Sequence, residues 1–114
     1  MSEECIFCRI AKGEIPAEKV LETETFVAFR DIHPAAPTHI LIIPREHIPT
    51  LNDLTAEKMP IACQLLTAAR DVAKKLGIAE SGYRTIINCN RGAGQEIFHL
   101  HLHLLGGRPL QSMG

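Results

Sequence analysis

The chain contains no tryptophan and a single tyrosine, and aromatic residues make up only 4% of its 114 residues. It also lacks the run of about 18 apolar residues that a membrane-spanning helix needs. No basic or acidic cluster stands out, and the formal net charge is −1. The sequence therefore offers no electrostatic footprint for nucleic acid or for a membrane surface, and we expect neither as a partner.

The length predicts one domain, residues 1–114, and an apolar content of 46% is ample for its core. The first four residues, Met-Ser-Glu-Glu, are acidic where a signal peptide would be basic, which favours a cytoplasmic protein. In that compartment the four cysteines, Cys5, Cys8, Cys63 and Cys89, are expected to be thiols or metal ligands rather than a disulfide framework.

Hydrophobic periodicity divides the chain into the elements of an α+β domain. Helical spacing predicts a short N-terminal helix within residues 5–12 and one long helix over 60–76, preceded by an irregular turn after Thr55. Alternating and β-branched runs predict strands over residues 19–22, 25–30, 38–43, 83–90 and 97–105. Together they predict an antiparallel sheet of about five strands.

Three histidines, His99, His101 and His103, alternate with apolar residues in the last predicted strand. Strand residues two apart point to the same face and lie roughly 6.7 Å apart, so the three imidazoles are expected to line one face. They cannot all be charged at low cost, and we expect their pKa values to be coupled and displaced. Such a row of histidines indicates a functional site.

The loop before this strand, residues 91–96, suggests what the histidines act on. Gly92 and Gly94 permit positive φ and close backbone approach, so N–H groups of the loop could hold phosphate oxygens. A neutral imidazole can attack phosphorus and give a covalent intermediate that water cleaves. His101, in the middle of the row, is the candidate nucleophile.

The stretch His-Leu-His-Leu-His-Leu-Leu, residues 99–105, resembles the histidine-triad motif of the HIT superfamily of nucleotide hydrolases and transferases. Further segments resemble the Hint branch, the histidine-triad nucleotide-binding proteins; they are residues 15–16, 29–32, 36–39, 43–44, 82–84, 94–95 and 106–108. The resemblance covers nearly the whole chain. It implies a HIT-like fold, a homodimer, and hydrolysis of purine nucleoside phosphoramidates to AMP or GMP and an amine.

The resemblance also implies roles for individual residues. His101 would form a nucleotidyl-histidine, His39 would support its ring, His103 would contact the phosphate and His99 would complete the triad. The other nucleotide-binding residues that it implies are Ile6, Phe7, Ile10, Ile32 and Leu41 for the purine, Asp31 for the ribose, and Asn88, Gly94 and Gln95 for the α-phosphate region. Glu96 would lie near the leaving group, whose identity the sequence leaves open. No cofactor is needed for this chemistry.

A second group of residues is typical of a metal site. Cys5 and Cys8 have the spacing of one half of a tetrahedral zinc site. The resemblance to some bacterial HIT proteins implies that His47 and His99 complete it, so that zinc would be structural and fully coordinated by protein. The alternative is that both cysteines are buried thiols and that His47 caps a loop.

Other functions remain open at this point. The three histidines could bind a catalytic metal, with Glu96 as the base. Within the superfamily the chain could be a dinucleoside polyphosphate hydrolase, although the Gly-Gly-Arg of residues 106–108 favours the Hint branch. It could also be a non-enzymatic nucleotide sensor. The homodimer implied by the resemblance would use the apolar surfaces of helix 60–76 and strand 83–88.

Overall fold

The computed structural model describes residues 5–113, which form a five-stranded antiparallel sheet with a helix on each face. In chain order the elements are α1 (Ile6–Ala11), β1 (Lys19–Glu22), β2 (Phe26–Arg30), β3 (Thr38–Pro44), α2 (Met59–Lys75), β4 (Tyr83–Ile86) and β5 (Leu102–Gly106). The strand order is β1-β2-β3-β5-β4. The predicted α+β class, the five strands and the two helices are confirmed. The acidic first four residues lie outside the described residues.

Side chains alternate along the strands, and each face of the sheet has its own apolar core. On β2, Phe26 and Ala28 pack on the side of α2, whereas Val27 and Phe29 pack on the side of α1. The α2 side continues through Ile40, Ile42, Leu102 and Leu104 to Leu65, Ala69 and Val72 of the helix. The α1 side continues through Leu41 and Ile43 to Phe7 and Ile10. Because α1 has only six residues, it covers part of its face and leaves the rest open.

The long helix begins and ends close to its predicted bounds. Pro60 lies in its first turn, where a missing N–H has no helical acceptor to lose. Gly77, just after the last turn, adopts a φ of 78° that ends the helix. The irregular turn predicted after Thr55 is a 3-10 turn, Ala56–Lys58, and Thr55 makes no side-chain capping hydrogen bond.

The last strand is shorter than predicted and starts five residues later, at Leu102. Its pairing with β3 runs as far as Ile42 opposite Leu102, so Pro44 would be the partner of Leu100 two residues further on. Proline has no N–H to donate to a ladder. The Leu100 N–H instead bonds the carbonyl of Ile48, at 2.6 Å. His99 and His101 therefore precede the strand.

The strand predicted over residues 83–90 also ends early, at Ile86. Asn90, at the end of the predicted range, has a φ of 72°, which no strand residue adopts. The chain then enters the 3-10 turn Arg91–Ala93. β4 is an edge strand of the sheet, because only β5 pairs with it.

Within the described residues, no helix has both the length and the apolar character that crossing a bilayer requires.

Candidate functional site

A cavity of about 540 Å³ lies on the α1 side of the sheet, where the short helix leaves the strands uncovered. Its volume falls in the range of small-molecule sites. The predicted site residues that line it are Ile6, Phe7, Ile10, Asp31, Ile32, Leu41, Asn88, Gly94, Glu96, His101 and His103. Apolar side chains from α1 and β3 thus line the same cavity as two imidazoles and two carboxylates.

His101 is held in one tautomer by the backbone. Its Nδ1 lies 2.7 Å from the carbonyl oxygen of His99 and must donate to it, since a carbonyl can only accept. The other ring nitrogen, Nε2, therefore carries a lone pair in the neutral ring. The edge-to-face contact of Phe7, with ring centroids 5.1 Å apart, fixes the ring from the side. His101 lines the cavity and its Nε2 is unprotonated, as a nucleophile requires.

His39 and His103 form a second chain of hydrogen bonds. The backbone N–H of Ala35 donates to His39 Nδ1 at 3.0 Å, so the proton of the neutral His39 ring is on Nε2. This Nε2 lies 3.0 Å from His103 Nδ1, which must accept. The proton of His103 is consequently on Nε2, the nitrogen left free to bond a ligand. His103 therefore offers the cavity a donor, whereas His101 offers a lone pair.

The pKa values of these histidines favour the neutral forms. Burial lowers the pKa of His101, and the hydrogen bond to the His99 carbonyl only partly opposes the effect. Burial, followed by repulsion from His101 and His39, lowers the pKa of His103 to about 4. Burial also lowers the pKa of His39, although the charge of Asp31 opposes it. The displaced values expected from the sequence are thus present, and burial is their main cause.

Asp31 is positioned at the end of β2 by its own loop. Its Oδ1 accepts the backbone N–H of His33 at 2.8 Å, and its Oδ2 lies 3.4 Å from His39 Nε2. The carboxylate keeps accepting capacity on both oxygens. Next to it Ile32 is 85% exposed and lines the cavity, so its apolar side chain is available to contact a ligand.

His39 does not touch His101 in the way that the resemblance implied, because its hydrogen bond goes to His103. The support for the His101 ring comes from the His99 carbonyl and from Phe7. The ring of His99 is fully buried and points away from the cavity, so His99 contributes to this site through its backbone.

The side chain of Gln95, for which the resemblance implied a place in the α-phosphate region, faces inward. Its side chain is buried, and both amide protons are engaged, with the carbonyls of Pro49 at 2.9 Å and Ile97 at 3.1 Å. Its Oε1 accepts the Asn90 N–H at 2.7 Å. Gln95 therefore stabilises the loop through buried hydrogen bonds and does not line the cavity.

The glycine loop does not present the row of free backbone N–H groups that Gly92 and Gly94 led us to predict. Gly94 has a positive φ of 92°, but Gly92 does not. The N–H groups of Ala93 and Gln95 bond the carbonyl of Asn90, and that of Gly94 bonds the carbonyl of Arg91. Three donors are thus unavailable to an anion, and Gly94 contributes a wall of the cavity.

The cysteines and two histidines predicted as metal ligands do converge. Cys5 Sγ and Cys8 Sγ lie 3.3 and 3.5 Å from His99 Nδ1. His47 Nδ1 lies 3.3 Å from Cys8 Sγ and 3.2 Å from His99 Nδ1. Around a tetrahedral zinc ion, with bonds of about 2.3 Å to sulfur and about 2.0 Å to nitrogen, such atoms stand roughly 3.5 Å apart. The four side chains could therefore hold a metal ion.

The protonation of His99 suits this arrangement. Its Nε2 donates to the Pro44 carbonyl at 2.8 Å, which leaves Nδ1 as a lone pair directed at the cysteines. Burial lowers the pKa of His99 to about 4, so this lone pair is free at neutral pH. The hydrogen bond to a carbonyl is the outer-shell contact that orients metal-binding histidines.

In the described residues, His99, His101 and His103 do not converge on one point, so the alternative in which all three bind one metal is not supported. His99 belongs to the cysteine cluster, and its lone pair does not face His101 or His103. Asp31, His39 and His103 do converge. However, the Ala35 N–H occupies His39 Nδ1 and requires a proton on the Nε2 that a metal would need. This trio is arranged as a hydrogen-bond relay.

Several cavity residues were missed by the sequence interpretation: Ile15, Pro16, Ala17, Phe29, Arg30, His33 and Ile97. Phe29 could have been found, because it shares a face with Val27 in the alternating strand. The others lie in loops or at strand ends, where no periodicity indicates which way a side chain points.

Comparison with known proteins agrees with this geometry. The profile of the HIT domain matches residues 12–110. The purine nucleoside phosphoramidase of Escherichia coli strain K12 is 53% identical over 113 residues, which are 99% of this chain and 95% of that protein. Protein HitA of Neisseria gonorrhoeae is 43% identical over 104 residues, 91% of this chain and 96% of that one.

Solved structures show the same fold. The HIT family hydrolase of Legionella pneumophila Philadelphia 1 superposes with a TM-score of 0.93 at 50% identity and covers 95% of this chain and 96% of its own. The histidine triad nucleotide-binding protein of Candida albicans has a TM-score of 0.81 at 34% identity and covers 97% and 87%. The resemblance inferred from the motif is confirmed: the chain belongs to the HIT domain family.

Proposed function

We propose that this protein is a hydrolase of purine nucleoside phosphoramidates that acts through a nucleotidyl-histidine on His101. The observation that carries the proposal is the fixed tautomer of His101, which borders a nucleotide-sized cavity with an unprotonated Nε2. It is supported by the 53% identity to a protein named purine nucleoside phosphoramidase.

The reaction follows from the two hydrogen-bond chains. The Nε2 lone pair of His101 forms a bond to phosphorus, the P–N bond breaks, and the amine departs with the bonding electrons and takes up a proton. The N–H of His103 bonds a phosphate oxygen, where negative charge accumulates in the transition state. Water then cleaves the bond between phosphorus and Nε2, which releases the nucleoside monophosphate and restores the imidazole.

The remaining cavity residues divide by chemistry. Ile6, Phe7, Ile10, Ile32 and Leu41 offer apolar surface for the purine. Asp31 accepts hydrogen bonds from the ribose hydroxyls, Asn88 and Gly94 lie at the phosphate, and Glu96 lies toward the leaving group. Gln95 acts only through the loop that it fastens. A nucleotide sensor or a dinucleoside polyphosphate hydrolase would use the same cavity, but the sensor would not need the directed lone pair of His101.

We further propose that the metal of the Cys5, Cys8, His47 and His99 cluster is zinc. Two sulfurs and two nitrogens are a donor set that zinc prefers, and their spacing fits a tetrahedral ion. With four protein ligands, the ion would be structural and would tie the start of α1 to the segments that follow β3 and precede β5. No step of the reaction depends on it directly.

A homodimer is proposed from exposed apolar surface. Met59 and Leu66 are 47% and 56% exposed on one face of α2, and Tyr83 is 37% exposed on the edge strand β4. An exposed apolar helix face and an unpaired strand edge are each suited to a second copy of the chain. A cytoplasmic location is also proposed, supported by the four free cysteines.

The nucleophile can be tested with His101→Ala and His101→Gly. Both variants are expected to lose on the order of 10⁴-fold in kcat/KM, because no other group can form the covalent intermediate. Intact-mass analysis after a rapid acid-free quench with an adenosine phosphoramidate should detect an AMP adduct on the wild type alone. Added imidazole should partly restore turnover in His101→Gly without an adduct. Undiminished turnover in the variants would rule out His101 as the nucleophile.

The low pKa of His103 predicts a loss of stability in acid. The unfolded chain takes up this proton near pH 6.5, whereas the folded chain takes it up only near pH 4. The unfolded state thus binds more protons between these values. The free energy of unfolding therefore falls as the pH is lowered, by up to about 1.4 kcal/mol per pH unit for one histidine. Denaturant unfolding at pH 7 and pH 5 should show a smaller loss in His103→Gln than in the wild type. His33→Gln, at an exposed histidine, is the control and should keep the wild-type dependence.

The zinc proposal predicts different behaviour for two cysteines. Elemental analysis of protein purified without added zinc should find about one equivalent in the wild type and in Cys63→Ser, since Cys63 lies exposed on α2. Cys8→Ser should contain little zinc and should unfold at a lower temperature, because one of the four ligands is lost. Less than a tenth of an equivalent in the wild type would refute the proposal.

The dimer proposal predicts a sedimenting species of twice the 12.6 kDa chain mass. Leu66→Lys places a charge in the proposed interface and is expected to shift the protein toward the monomer. Gln64→Lys, at an exposed position on another side of the same helix, should remain dimeric. A monomeric wild type at micromolar concentration would contradict the dimer.

A further inference from the structure

Arg108, two residues beyond β5, makes contacts that its place near the chain end does not suggest. Its Nη2 donates to the carbonyl of Ala35 at 3.0 Å, across 73 residues of sequence, and its Nη1 donates to the Pro109 carbonyl at 2.9 Å. Among the described residues no carboxylate pairs with this guanidinium. Its hydrogen bonds are thus directed at backbone, and one of them holds the loop between β2 and β3.

The other hydrogen bonds of that loop go to Asp31 and His39, and none of them engages the carbonyl of Ala35. It carries two prolines and runs on the surface from Asp31 to Thr38, with residues 32–35 exposed. Gly107, beside Arg108, packs so closely on the loop that an added Cβ would lie 2.9 Å from the Pro37 Cβ. The segment after β5 therefore supports the loop at two adjacent points, by packing at Pro37 and by the guanidinium at Ala35.

The N–H of Ala35 donates to His39 Nδ1 and, together with the Asp31 carboxylate 3.4 Å from Nε2, favours the tautomer of His39 with its proton on Nε2. If Ala35 moved away, the proton of His39 could shift to Nδ1, and Nε2 would become an acceptor. His103 would then donate from Nδ1 to His39, and its Nε2 would present a lone pair to the phosphate. A displaced loop would thus convert a donor into a repulsive group, and it would also move Asp31 and Ile32, which line the cavity.

We propose that Arg108 is a positioning residue for the reaction: its hydrogen bond to the Ala35 carbonyl holds the Ala35 N–H on His39 and so keeps the His103 proton on Nε2. Arg108 itself does not line the cavity. The kinetic part of this inference rests on the proposed function. The tautomer part does not, because it concerns the protein without substrate.

The test is Arg108→Ala, with Arg108→Lys as the conservative variant and Arg9→Ala as the matched control. Arg9 is an exposed arginine whose side chain forms a surface pair with Glu14 and does not line the cavity. Long-range ¹H–¹⁵N NMR of the imidazoles reads the tautomers of His39 and His103 directly. The wild type and Arg9→Ala should have protons on both Nε2 atoms, whereas Arg108→Ala should populate the other tautomer, and Arg108→Lys should restore part of the wild-type state.

Kinetics with an adenosine phosphoramidate should follow the spectra. We expect Arg108→Ala to lose about 10-fold in kcat/KM, as for one hydrogen bond from a charged group, with an effect on kcat through His103 and on KM through the loop. If Arg108→Ala does not fold, Arg108→Gln, which keeps an N–H donor, is examined in the same way. Unchanged tautomers in the folded variants, or an equal shift in Arg9→Ala, would overturn the proposal. A wild type with the expected tautomers but no phosphoramidase activity would refute the proposed function and leave the positioning role intact.

Discussion

The hydrogen bond from His101 Nδ1 to the carbonyl of His99 is the interaction on which the rest of the site depends. It exists because the chain joins the sheet only after His101, at Leu102: Pro44 cannot continue the ladder with β5, and its carbonyl is free to accept from the His99 ring. His99 is thereby rotated toward the cysteines, while its own carbonyl turns to His101. Because Pro44 has no N–H, His99 and His101, two residues apart in sequence, belong to two different sites.

His101 and His103 present opposite hydrogen-bonding groups, and the cause is the hydrogen bond that each makes on its other ring nitrogen. His101 donates to a carbonyl and presents a lone pair, whereas His103 accepts from His39 and presents a proton. Their ring centroids are only 4.9 Å apart. Burial favours the neutral form of both rings, so neither ring gains the second proton that would make both of its nitrogens donors. A lone pair and a hydrogen-bond donor on two residues of the same type can therefore lie side by side, because each tautomer is set by backbone atoms outside the cavity.

Much of the fold and part of this site could be predicted from the sequence. The alternation of Val27 and Phe29 with their neighbours, and the helical spacing up to Gly77, are local patterns, and the structure follows them. The convergence of Cys5 and Cys8 with two distant histidines was available only through the family resemblance. The inward turn of Gln95 was not available at all, because a buried amide and an exposed one look alike in sequence.

What the sequence could not provide was the pairing of groups through the backbone. The tautomer of His39 depends on the N–H of Ala35, and a backbone group carries no residue-specific signal. The same limit applies to Arg108, whose partner is a carbonyl in a loop distant in sequence. Side-chain patterns indicate which residues face a site, but proton positions are determined by main-chain geometry.

The short helix α1 links the two sites mechanically. A helix of six residues is too short to be stable by itself, yet it supplies Ile6, Phe7 and Ile10 to the cavity wall. It is held at one end by Cys5 and Cys8, which contact His99, and along its side by Phe7, which packs against both His99 and His101. Loosening the cysteine cluster would therefore displace the apolar wall of the cavity and the ring that supports His101 together. The cluster thus determines where the wall of the cavity stands, although it does not line the cavity with its histidines.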